Sequence, residues 1–108
     1  MLLVCRFAPT DPSDFRARVE KALELLTAAP GCLGGEAGRA VDDPARWVLT
    51  VRFASVDAYR RALSPFAVRE HVVPLLSEAL ADEPATYETL FGAVAGVVAE
   101  HASLRAGD

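Results

Sequence analysis

The chain has 108 residues, 52% of them hydrophobic and 24% charged, which suits one compact domain with its own core and some apolar surface to spare for a subunit interface. Lys and Arg number 11 against 15 Asp and Glu, and the net charge of −4 excludes the basic face that nucleic-acid binding requires. No apolar run approaches a membrane span, and the apolar start Met1-Leu2-Leu3-Val4-Cys5 has no basic leader and meets Arg6 at once, so a cytoplasmic protein without a signal peptide is expected.

Leu2 to Phe7 reads as a first strand, ended by Pro9. A helix follows, with Asp11 as N-cap, Pro12 in the first helical position and Asp14 in the first turn. Phe15, Val19, Ala22, Leu23 and Leu26 form its apolar stripe, and Pro30-Gly31 stops it. Cys32 to Val41 carries Gly34, Gly35 and Gly38 and reads as a weak or bulged strand. Asp42-Asp43-Pro44 is a turn. Arg46 to Phe53 is the strongest strand signal, with Trp47, Leu49, Val51 and Phe53 on one face and Val48, Thr50 and Arg52 on the other.

Ser55 caps the next helix, which holds Tyr59, Ala62 and Leu63 and breaks at Ser64-Pro65. A further helix from about Pro65 carries Phe66, Val72, Val73 and Leu76, and Pro74 inside it predicts a kink or a restart. Ala85 to Phe91 reads as the last strand, with Tyr87, Thr89 and Phe91 on one face. Residues 1–91 make one domain on this reading, and 92–108 form a C-terminal tail or an arm that contacts a partner. The order strand, helix, strand, strand, broken helix, strand is that of the ferredoxin-like fold, α+β with a βαββαβ order and an antiparallel four-stranded sheet, whose third strand is central.

Pro30-Gly31-Cys32-Leu33, Arg39, Asp42-Asp43-Pro44-Ala45-Arg46-Trp47 and Val51-Arg52-Phe53-Ala54-Ser55 with Ala58-Tyr59 resemble the antibiotic biosynthesis monooxygenase-like family. The resemblance runs from the first strand to about Phe91. It implies a homodimeric α+β barrel, in which two sheets face each other and a ligand pocket lies between each sheet and its own helices. It also implies a cofactor-independent monooxygenase acting on a small aromatic or polyketide-like phenol or quinone. Other family chemistries are isomerisation, cyclisation and haem degradation. The family's haem-degrading members carry Asn, Trp and His where this chain has Cys5, Ala62 and Glu70, and His71 is one residue, about 100° of helix, out of register. Haem degradation is therefore disfavoured. The His that many members carry at the positions of Ala62 and Pro65 is also missing, which keeps open a non-catalytic dimeric ligand-binding or stress-response domain.

Neither a nucleophile motif nor a phosphate or dinucleotide loop is present. Cys5 and Cys32 stand far apart, and His71 and His101 are the only histidines, so neither a metal site nor a cofactor is expected. The candidate catalytic residues are Arg52 as anion stabiliser, with Tyr59 or His71 as proton acceptor. Trp47, Phe53, Tyr87 and Cys5 are the candidate substrate-binding residues. Each has a plainer reading: Trp47 as core, Arg52 paired with Glu36 or Glu88, the tyrosines as packing, His71 on a solvated helix face, Cys5 as a small buried hydrophobe.

Overall fold

The computed structural model describes residues 1–105. Its first elements are β1 (Leu2–Phe7), α1 (Pro12–Thr27), β2 (Cys32–Ala40) and β3 (Asp43–Phe53). They are followed by α2 (Val56–Ala62), α3 (Phe66–His71), α4 (Val73–Leu76) and β4 (Thr86–Tyr87). The four strands form an antiparallel sheet in the order β2-β3-β1-β4, so β3 is central as the ferredoxin-like topology requires.

The period-2 pattern of β3 decides which side is the core. Trp47, Leu49, Val51 and Phe53 are buried, as are Leu3, Cys5 and Phe7 of β1, which pair with β3 across the ladder. Phe15, Val19, Ala22 and Leu26 of α1 and Val68, Val72 and Leu75 pack on this face to form one core cluster. The opposite face carries Leu2, Val4, Val48 and Thr50 half-buried and Arg52 exposed. One sheet face is thus closed by helices and the other is open in the single chain.

Local chemistry sets the helix limits. Asp11 accepts a hydrogen bond from the Asp14 backbone N–H at 3.2 Å, and Ser55 accepts one from that of Ala58 at 3.0 Å. Pro74 has no N–H to give back to Glu70, and the helix is interrupted at Val72 between α3 and α4. The buried stripe of this region is Val68, Val72 and Leu75, whereas Phe66 is 72% exposed and Val73 40% exposed, so the expected apolar face is out of phase.

The end of the chain departs furthest from expectation. The last strand of the sheet is Thr86–Tyr87 alone, not Ala85 to Phe91. Phe91–Val94 (β5) turns back onto Val97–Glu100 (β6) in a separate two-stranded hairpin. Ala95 (φ 52°) and Gly96 (φ 80°) both adopt left-handed backbone, the two-residue turn that matches the right-handed twist of a hairpin. Glycine makes this conformation cheap at Gly96.

Candidate functional site

Four of the seven proposed side chains gather at one end of the sheet. Arg52 and Phe53 close β3, Tyr59 lies on the first turns of α2, and Tyr87 on β4 pairs with Leu2. They line two adjoining hollows that share Met1, Val56, Glu88 and Leu104. The larger, about 460 Å3, holds Arg52 and Phe53 beneath the hairpin residues Phe91, Gly92 and Ala93 and His101. The smaller, about 190 Å3, holds Tyr59 and Tyr87. The rings of Phe53 and Tyr59 meet edge to face, 5.4 Å apart at 61°.

Arg52 donates from Nη2 to the Leu33 carbonyl at 3.4 Å, a long and weak bond. It makes no ion pair with any carboxylate among the described residues. Neither of the partners considered from the sequence pairs with it. Glu36 accepts from the Thr50 hydroxyl at 3.2 Å. Glu88 accepts from the Ser103 hydroxyl and the Leu104 backbone N–H, each at 2.8 Å, and those bonds hold its carboxyl below the usual carboxylate range. Gly34 has φ 131°, and a Cβ there would lie 2.8 Å from the Arg52 Nη2 atom, so the guanidinium lies against β2 only because glycine stands opposite.

Burial pushes the Tyr59 phenol above its ordinary value, with the charge of nearby Cys5 acting the same way. At neutral pH it is a hydrogen-bond donor, not a proton acceptor. Tyr87 is 38% exposed. The remaining three candidates lie elsewhere. Trp47 shares a face with Phe53 but stands at the other end of β3, roughly 20 Å away along the strand. His71, at the end of α3, lines an outer groove with Arg18, Lys21 and Pro74, its Nε2 3.9 Å from Glu70. Cys5 is buried in the middle of the sheet, opposite Leu49.

Burial raises the Cys5 thiol from 9.0 to about 11. An unfolded chain loses this proton near the lower value and the folded chain near the higher one. Between the two the folded state binds more protons, so stability falls as pH rises through that window. The raised Tyr59 phenol acts with the same sign. Two results should follow: Cys32 reacts with iodoacetamide well before Cys5 at pH 8, and Cys5→Ala flattens the alkaline fall in urea midpoint.

From the sequence Glu88 stands only as a partner for Arg52 and His101 only as a tail residue, and nothing points to the Met1 nitrogen, which donates to the Phe53 carbonyl at 2.9 Å. The only signal for His101 was the valine-rich alternation on either side of Ala95-Gly96, a hairpin pattern. Among the described residues no group of three or more His, Cys, Asp and Glu is placed to hold a metal ion. No described helix is long and apolar enough to cross a membrane.

The fold has many solved relatives. SnoaB, a cofactor-independent oxygenase from Streptomyces nogalater, is 22% identical, with a TM-score of 0.64 over 73% of this chain and 82% of that one. The Mycobacterium tuberculosis protein Rv0793 is 20% identical, with a TM-score of 0.61 over 99% of this chain and 97% of that one. Protein SO0527 from Shewanella oneidensis is 16% identical, with a TM-score of 0.60 over 72% and 78%. At these identities the likeness is one of fold. No curated protein sequence matches the chain. The antibiotic biosynthesis monooxygenase profile matches residues 4–72, from β1 to the break between α3 and α4, and the chain belongs to that family.

Proposed function

We propose that the chain is a monooxygenase that oxidises a small electron-rich phenol or hydroquinone with molecular oxygen, in the hollows at the Arg52 end of the sheet. The observation that carries this reading is that an arginine without a carboxylate partner and two tyrosines line two adjoining hollows at one end of the sheet. Arg52 lowers the energy of the substrate anion, and its positive charge draws the proton off to solvent. Tyr59 donates a hydrogen bond to the substrate oxygen, while Phe53 and Tyr87 flank the ring. The substrate carbanion gives its electrons to oxygen and forms a peroxide anion at the same carbon. Loss of hydroxide from the peroxide leaves a carbonyl. In the keto tautomer of an anthrone-type phenol, a ring CH2 and O2 thus become C=O and H2O, and a bound redox group is not needed for the balance.

Family membership and the fold likeness to SnoaB support the reaction class. His71 on the outer groove and a protonated Tyr59 favour a second reading, a binding domain without chemistry, because neither supplies a base. An aerobic screen of anthrone-type phenols, followed by oxygen uptake, separates the two. Turnover above the uncatalysed rate supports the oxygenase; saturable binding without oxygen uptake supports the binding domain.

The same proposal makes the chain a homodimer. The open sheet face and the hairpin side chains Phe91 (64% exposed), Val94 (82%) and Val97 (73%) form an apolar surface that two strands alone cannot stabilise in water. Sedimentation equilibrium at micromolar concentration should give twice the chain mass. A monomer would refute the barrel.

A further inference from the structure

At the far end of β3 from the proposed substrate site, a cleft of about 320 Å3 opens around Trp47. That volume lies within the range of small-molecule sites. Its apolar walls include Phe7, Val48 and Leu80, and three arginines surround it. Arg6 is already matched, to Asp82 at 2.9 Å and Glu83 at 3.3 Å. Arg46 has only a loose contact with Asp43, at 3.8 Å between two well-exposed groups. Arg39 makes no ion pair with any carboxylate among the described residues. Its guanidinium lies over the indole instead, 5.6 Å from the ring centroid.

Trp47 adds a second, independent observation. The side chain is 7% exposed, and its Nε1 donor is buried with no acceptor among the described residues. Buried donors are normally matched. Among the described residues the cleft therefore combines apolar walls, a guanidinium that lies over the indole and has no carboxylate partner, and a residue whose buried N–H has no acceptor. The chain as a whole is acidic, with a net charge of −4, so this positive spot is local and not part of a general basic surface.

We propose that this cleft is a second binding site, specific for planar aromatic carboxylates. The ring packs against Val48 and Leu80, beside the indole that Arg39 covers. The carboxylate takes two parallel N–H bonds from Arg39, with Arg46 adding charge. A single unpaired guanidinium and apolar walls fit a monoanion better than a phosphate ester. The site does not depend on the oxygenase reading.

The chain has one tryptophan, so one indole N–H resonance reports on the cleft. Titrating the labelled full chain with 2-naphthoate should move that resonance saturably, while 2-naphthylmethanol, which lacks the charge, should not. Arg39→Met should weaken 2-naphthoate by about tenfold or more, as expected for loss of a bidentate charged pair. Arg52→Ala should bind it as the parent does. The proposal is overturned by an indole resonance that does not saturate up to millimolar 2-naphthoate, by equal affinity for the alcohol, or by unchanged affinity in Arg39→Met. A loss of binding in Arg52→Ala also overturns it, since the ligand would then occupy the other end of the sheet.

Discussion

Arg52→Ala lowers kcat/KM for the active phenol by about 10²–10³-fold, the usual cost of removing one preorganised donor to a developing anion. The loss falls mainly on kcat, because the substrate gains its full charge only after deprotonation. Arg52→Lys restores part of the rate: it returns the charge but not the planar fork. Within the single chain folding stability changes by less than about 0.5 kcal/mol in either variant, because there the side chain is exposed and makes one long hydrogen bond. Steady-state oxygen uptake with thermal melts of the same samples makes the check. An Arg52→Ala enzyme within twofold of the parent sinks the anion-stabilising role.

The reason to expect so large an effect lies in the setting of the guanidinium. Glu36 and Glu88 are engaged elsewhere, by Thr50 and by Ser103 with Leu104. An arginine neutralised by a carboxylate would have little field left for a ligand. In the proposed dimer the partner sheet covers the open face and strips water from Arg52, which strengthens its hold on an anion.

Much of this architecture was legible in the sequence. Asp11, Pro12 and Ser55 mark helix starts by chemistry that acts within a few residues, and they do so in the structure. The alternation of β3 also survives, since a strand buried on one face must alternate. The parity rule gave Trp47 and Phe53 the same face, but it says nothing of distance along the strand, and that distance separates them into two hollows. β4 failed for a longer-range reason. The backbone of Leu80 donates to the Arg6 carbonyl at 2.7 Å, and Val4 donates to the Ala85 carbonyl at 2.7 Å, so the edge of β1 is shared among several segments. Only Thr86–Tyr87 finds ladder partners there, and Phe91 to Val94 pairs with the tail instead. The turn that permits this, Ala95-Gly96, lacks the Asn or Asp that usually signals it. Four of the candidate site residues converge only once β1 has paired with both β3 and β4, a long-range event that residue spacing does not encode.

Leu49→Ala should destabilise the chain by about 2–5 kcal/mol, the range for deleting a buried leucine and leaving a cavity. Leu49 is fully buried (0% exposed) at the centre of the middle strand, opposite Cys5 on β1 and Ala37 on β2. Both flanking strands hold the backbone in place, so the site has little freedom to collapse around the smaller side chain. The neighbouring position gives the contrast. Val48 is half-buried and faces the open side of the sheet, where truncation removes less packing within the chain. Whatever Val48→Ala costs beyond about 1 kcal/mol comes from the surface that the partner covers, and that part should shrink as the protein is diluted and the dimer dissociates. A chain of this size has roughly 5–15 kcal/mol of stability in all, so Leu49→Ala lowers the melting temperature by roughly 10–30 °C. Urea titrations of both variants at two protein concentrations decide the matter. A Leu49→Ala loss below about 1 kcal/mol, or a Val48→Ala loss that exceeds it, would mean that the two faces of β3 have been assigned the wrong way round.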